Sequence, residues 1–278
     1  MDWNKAKNYT IILLLILNAV LLGLNLAEDL SRRLSKTEVE NIISVLESND
    51  ISVEAEVPQN AVSLPQLSLA AANYSLFDLV DVFFETDESV KRTEEFNATI
   101  FKTADRELRV EGDIVTYTDK SLIVSETEKA EETAQGYMEE LNGLFPELSY
   151  EYTAETEGEL WVKYDMHYKE NDCFNNFCLF TFGDGGMTVS LRYLKPLGFT
   201  GAKSEVYCAD VTLLSFMNGI REIYPDEHLT VSKLELGYLA QYEKEGETSE
   251  AIPYYRIILK EKNEVYYING YTAVFSTA

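Results

Sequence analysis

Cys173-Phe174-Asn175-Asn176-Phe177-Cys178 has the most specific chemical spacing in this chain of 278 residues. With Asn175-Asn176 as a two-residue turn, Phe174 pairs with Phe177 and Cys173 faces Cys178. Such an outer pair is non-hydrogen-bonded, with Cα atoms about 4.5 Å apart, a separation that a disulfide tolerates. An oxidising compartment permits that bond. Three states fit the spacing: a disulfide closing a hairpin, two free thiols, or a metal site completed by His167. The third lacks a fourth ligand, so no metal is expected. Cys208, the remaining cysteine, is expected to stay unpaired.

Other reactive types are sparse or unpatterned. The histidines are His167, mid-strand between Met166 and Tyr168, and His228, after Pro225-Asp226-Glu227 at a turn. No Gly-x-Ser-x-Gly elbow accompanies them, so a Ser-His-Asp triad has no support. Carboxylates are abundant, but a glycosidase pair needs two of them about 5–10 Å apart across a cleft. Most Glu here occupy the polar positions of alternating or helical patterns, which suits solvated faces. Gly183-Asp184-Gly185-Gly186 lacks the Lys-Ser/Thr and the helix of a phosphate loop and suits a hairpin turn. No catalytic residue and no cofactor are expected.

The element that positions everything else is N-terminal. Tyr9 to Ala27 is almost wholly apolar, with no charge until Glu28. As a helix it would be about 28 Å long, near the hydrocarbon thickness of a bilayer. In lipid the backbone groups need internal partners, which favours a helix. Lys5 and Lys7 precede the segment while Glu28 and Asp29 follow it, so the charge rule places the N-terminus in the cytoplasm. Arg32 and Arg33 are a weak counter-signal. A cleaved signal peptide is the rival reading, but Asn25-Leu26-Ala27 is a poor cleavage site. Thr10, Asn18 and Asn25 fall within an arc of roughly 80° on one helix face. That line suits contact with a second transmembrane helix. It equally suits a headgroup-level Asn25 with a tolerated Asn18.

The chain carries a net charge of −25, which disfavours nucleic acid and anionic headgroups as partners and suits solubility outside the cell. Three cysteines do not make a disulfide scaffold. The expected layout is a cytoplasmic N-terminus at 1–8, a transmembrane helix at 9–27, and two extracytoplasmic domains at 28–124 and 125–278.

Ser35-Lys36-Thr37-Glu38 reads as a capping box before a short amphipathic helix with Val39, Ile42, Ile43 and Leu46 on one face. Ile51 to Val57 alternates as a strand, Asn60 to Leu69 reads as an irregular connection, and Leu76 to Phe84 as a helix. Phe96–Phe101, Glu107–Glu111 and Ile114–Thr118 alternate as a meander. Ser125-Glu126-Thr127-Glu128 reads as a second capping box, opening a helix whose inner face carries Ala130, Ala134, Tyr137, Met138, Leu141, Leu144 and Phe145. Strands are expected at Leu160–Tyr168, Phe177–Phe182 and Met187–Leu194. A helix with Val206, Leu213, Leu214, Met217 and Ile220 inside follows, then strands at Leu229–Tyr242, Tyr254–Leu259 and Val265–Ile268. A helix followed by three antiparallel strands thus recurs, which argues an α+β fold with exposed sheet edges.

Several stretches resemble one family. Met1-Asp2-Trp3-Asn4-Lys5-Ala6-Lys7 running into the apolar span looks like the start of the YycI (WalI) proteins. Val45-Leu46-Glu47-Ser48-Asn49-Asp50-Ile51, ending at Pro58, is similar to theirs. So are Leu236-Gly237-Tyr238, Ile252-Pro253-Tyr254-Tyr255-Arg256 and Tyr266-Tyr267-Ile268-Asn269-Gly270, with Tyr255 where such modules carry Trp. The middle of the chain resembles them poorly, and the long acidic insertions and the Cys pair depart from the family's pattern.

The resemblance implies a non-catalytic, membrane-anchored regulator of the WalK/WalR two-component system of low-GC Gram-positive bacteria. It implies a YycH-type sister protein and a WalK-type sensor histidine kinase as partners, contacted mainly through transmembrane helices. It also implies a fold of α+β repeats. Two other readings stay open: a PepSY-like inhibitor or cell-envelope binding module, and a cell-wall enzyme with paired carboxylates of split pKa.

Overall fold

The structure is a computed structural model and describes residues 7, 11–22, 33–84, 89–156, 158–241, 249–260, 262 and 264–277. Its class is α+β. Residues 11–22 form a helix, α1, with every residue exposed. No helix among the described residues is long and apolar enough to cross a membrane. Residues 9–10 and 23–27, the ends of the expected span, lie outside the described residues.

The chain divides into two compact units, one of Met1–Leu64, Ser204–Glu235 and Tyr255–Ala278, the other of Pro65–Lys203 and Leu236–Tyr254. The units interleave in sequence, so neither matches the consecutive stretches 28–124 and 125–278. The reason is that late strands return to pair with early ones: β1 (Ile51–Val53) lies parallel to the start of β12 (Leu229–Gln241), Ile51 opposite Leu229.

In the first unit, α2 (Lys36–Glu47) starts at the expected capping box. Ser35 Oγ accepts from the Glu38 amide, and the Glu38 carboxylate accepts from the Ser35 amide at 2.7 Å. That backbone bond holds Glu38 below the usual carboxylate range. Ile42 and Leu46 are buried, and α2 packs on α5 (Ala209–Ile223). Helix α5 buries Leu213, Phe216 and Ile220, while Leu214, expected inside, is 38% exposed. Phe216 lies beside Tyr266 of β14 (Val265–Asn269) and Phe275 of β15 (Phe275–Thr277).

In the second unit, α3 (Leu76–Phe83) is capped by Ser75 with Asp78. The strands β3 (Lys91–Glu94), β4 (Thr99–Lys102), β5 (Arg106–Glu111) and β6 (Ile114–Asp119) form an antiparallel meander. Helix α4 (Thr127–Leu141) buries Ala130, Ala134, Met138 and Leu141. It begins one residue later than a Ser125 cap would require, with Glu126 at N-cap and no side-chain cap bond. The Glu126 carboxylate is turned to Lys129 instead, at 2.8 Å. The antiparallel strands β7 (Leu148–Thr156), β8 (Glu159–Tyr168), β9 (Asn171–Gly183) and β10 (Gly186–Arg192) follow. The β9–β10 hairpin turns at Asp184-Gly185, as the glycine cluster requires.

Helices and runs of strands alternate as expected, but the runs hold at least four strands: α3 precedes β3–β6, α4 precedes β7–β10, and α5 precedes β12, β13 (Ser249–Leu259), β14 and β15. Asn60 to Leu69 is irregular only as far as Val62; β2 (Ser63–Ala71) occupies the rest and pairs Leu67 and Leu69 with Ala251 and Ser249. β11 (Leu194–Glu205) is a further strand, exposed along most of its length.

Candidate functional site

Helix α1 presents apolar side chains on all sides: Leu13 is 66% exposed and Leu15 63%. Asn18 sits among them as a polar residue. Thr10 and Asn25, which complete the expected polar line, lie outside the described residues.

The structure corrects the hairpin reading of the Cys pair. Cys173 and Cys178 lie along one strand, β9, and both are free and buried. Cys173 is opposite Met166, and Cys178 opposite Tyr164. Where the turn was expected, β9 bulges: Asp165 pairs with Phe177 and the next residue, Met166, pairs with Cys173. The two asparagines hold that bulge by bonding sideways. Asn176 Nδ2 donates to the Leu194 carbonyl at 2.7 Å and Oδ1 accepts from the Leu194 amide at 2.9 Å. Asn175 Oδ1 accepts from the Ala240 amide. Burial pushes the Cys173 thiol up to about 12 and Cys178 further still, so both are poor nucleophiles. Cys208 is in no disulfide and lies at the N-cap of α5.

A cluster of titratable groups surrounds Asp119, which is 2% exposed. Its carboxylate accepts from Ser121 Oγ at 2.6 Å, the Ser121 amide at 2.9 Å and Arg106 Nε at 2.9 Å. Burial opposes its charge, but the Ser121 bonds and then Arg106 outweigh it and hold the carboxyl below its ordinary value. Burial raises the neighbouring phenols Tyr117 and Tyr137. A carboxylate so supplied with donors is a weak base, and protonated phenols are poor nucleophiles. The cluster ties the end of β6 to the loop leading into α4.

The histidines join no such cluster. His167 Nδ1 pairs with Asp172 across the β8–β9 turn at 2.6 Å, and His228 Nε2 lies 3.4 Å from Ser52 Oγ in an exposed setting. Among the described residues no group of three or more His, Cys, Asp or Glu is placed to hold a metal ion. The asparagine bridges and the Asp119 cluster carry no local signal in the sequence, because Leu194, Ala240 and Arg106 lie well away along the chain from the residues they meet.

These features define an α+β protein whose polar clusters tie strands together. The sequence model of the YycI protein family matches residues 31–271, and the chain belongs to that family. It is a regulatory family of the WalK two-component pathway. The match begins after α1 and includes the middle of the chain, which carries none of the stretches that resemble the family. No curated protein sequence matches the chain. An uncharacterized protein from Eubacterium rectale has a similar fold, with a TM-score of 0.54 at 11% identity, covering 86% of this chain and 99% of its own. The C-terminal domain of Bacillus megaterium YpeB aligns with a TM-score of 0.38 at 8% identity, covering 74% of this chain and 96% of its own.

Proposed function

We propose that the protein is a non-catalytic, membrane-anchored regulator of a WalK-type sensor histidine kinase. It works beside a YycH-type sister protein, and its N-terminal helix makes the contact. Family membership supports the pathway. The observation that carries the anchor is α1, a helix apolar on every side and exposed along its whole described length. Such a helix is stable when lipid or another helix surrounds it. In lipid, association depends on packing and interhelical hydrogen bonds, and Asn18 offers an amide for one. With Lys5 and Lys7 before the span, the N-terminus lies in the cytoplasm and residues 28–278 outside.

Protease added to intact cells tests the topology. The C-terminal part should be removed while the first residues stay protected. A protected C-terminus, or a mature chain starting near Glu28, would contradict it.

A further inference from the structure

Helices α2 and α5 pack side by side, and contacts at both ends show that they run the same way. Their C-terminal ends are joined by Arg221, whose guanidinium donates to the Asn49 carbonyl. At the other end Cys208, the N-cap of α5, lies close to Glu38 in the first turn of α2. Burial, then Asp210, then the Glu38 charge raise its thiol pKa. The two N-termini therefore share one end of the first unit. Helix α2 starts at Lys36, nine residues past Ala27, the expected end of the span. A chain of that length reaches about 30 Å at most, so the shared end is the one tied to the bilayer.

The outer face of α5 changes character along its length. Tyr207, just before the cap, is followed at helical spacing by Val211, Leu214, Asn218 and Glu222, and all five are exposed. The three nearest the shared end are apolar or aromatic, and the two beyond are polar. The turn between β14 and β15 extends the apolar end sideways, and it is fixed to α5 at three points. The Gly270 carbonyl accepts from the Tyr207 amide at 2.8 Å, Ser215 Oγ donates to the Ala273 carbonyl at 2.5 Å, and Phe275 fills the space that a side chain on Gly219 would take. Val274 in that turn is 60% exposed. Exposed apolar residues scattered singly need no explanation, but four gathered at one fixed end of a unit do.

We propose that Tyr207, Val211, Leu214 and Val274 rest on the bilayer surface and dock the first unit against the lipid that holds its own anchor. The inference rests on the anchor reading. It explains why the α5 face is apolar only at the tied end. Tyrosine suits the headgroup level, where its ring is apolar and its tip polar. Arg33 and Lys36, both exposed, stand at the same end, in a chain whose net charge is −25. The acidic remainder disfavours binding to a membrane from solution. The tether offsets this by making the contact intramolecular, so a few apolar side chains suffice.

The test is tryptophan quenching in the full chain, one chain per nanodisc. The lipid is phosphatidylcholine brominated near the ester end of its acyl chains, compared with the unbrominated lipid. Trp3 and Trp161 are first replaced by Phe, and single tryptophans are placed at Leu214, Val274, Val45 and Leu15. Leu214→Trp and Val274→Trp should each lose most of their emission in brominated lipid. Val45→Trp, exposed near the far end of α2, should keep its emission. Leu15→Trp in α1 should be quenched as the mark of the anchor. A reporter at Val211→Trp should be quenched too, and should recover when Leu214→Asp and Val274→Asp are added. Quenching of Leu15→Trp without quenching at 214 and 274 would overturn the docking and leave the anchor standing. An unquenched Leu15→Trp would overturn the anchor and the docking with it. Equal quenching at 45, 214 and 274 would mean unspecific contact and overturn the site. Blue-shifted but unquenched emission at 214 and 274 would assign the patch to a protein surface and reject the lipid.

Discussion

Asn176 and Leu194 form a reciprocal pair: the Asn176 amide donates to the Leu194 carbonyl at 2.7 Å and accepts from the Leu194 amide at 2.9 Å. The side chain copies the bonding of a strand backbone one step beyond the last β9–β10 backbone pair, Phe177 with Arg192. Asn176 is fully buried, so Asn176→Leu would strand both Leu194 groups away from water. The cost should be about 1–3 kcal/mol for each group left unpaired. Urea unfolding checks this; an unchanged midpoint would mean that water or a shifted backbone replaces the bonds.

Gly186 should tolerate no side chain. Its φ is +105°, and a Cβ there would lie 2.2 Å from the Asp119 carbonyl oxygen. Gly186→Ala combines left-handed strain with a backbone clash and should cost about 3 kcal/mol. Gly185→Ala, where a Cβ meets nothing within 4 Å, should stay close to the parent. Thermal unfolding of the two variants measures the difference.

Asp119 should contribute to acid unfolding. Its carboxyl titrates lower in the fold than the ordinary 3.8, so the folded state holds the proton less readily than the unfolded chain. Its stabilisation is complete above the unfolded value and disappears as pH falls through the folded one. Asp119→Asn should therefore flatten the acid limb of a stability–pH curve below about pH 4. An unchanged slope there would place the acid sensitivity in other carboxylates.

The thiols should react in a fixed order. Cys208 is part-exposed, whereas Cys173 and Cys178 are buried with raised pKa values. A thiol reagent at pH 8 should label Cys208 first and reach the other two only on unfolding. A native chain that loses two thiols on mild oxidation, with Cys173 linked to Cys178, would contradict the strand geometry of β9.

The sequence disclosed the elements with strong periodicity and concealed those without it. Val39, Ile42, Ile43 and Leu46 foretold α2, and Ala130 to Leu141 foretold α4, because a single buried face leaves a 3.6-residue repeat. Two of the three strands missing from the expected runs of three carry no such mark. In β3 all four residues, Lys91 to Glu94, are exposed, and charged edge strands of this kind resist unwanted pairing. β15 is too short to show alternation; β7 is the exception, since Leu148, Tyr150, Tyr152 and Ala154 do alternate with polar residues. At the Cys pair, Asn175-Asn176 satisfied the local chemistry of a turn, yet both side chains had distant partners, at Leu194 and Ala240. Local pattern does not encode such partners. The Asp119 cluster was hidden for the same reason: Arg106 and Ser121 reach it through the β5–β6 pairing and the following loop, not through a recognisable motif.

The most direct measurement of the proposed function compares Asn18→Leu with Leu15→Ile in the full chain. Each is assayed by co-purification with the WalK-type kinase and by kinase output in cells. Removing the Asn18 amide should cost about 1 kcal/mol of helix association, the scale of one interhelical bond in lipid. Occupancy of a marginal complex then falls several-fold while the rest of the chain stays folded. Leu15→Ile should match the parent. Parental behaviour in both variants would contradict the account and move the regulatory contact out of α1.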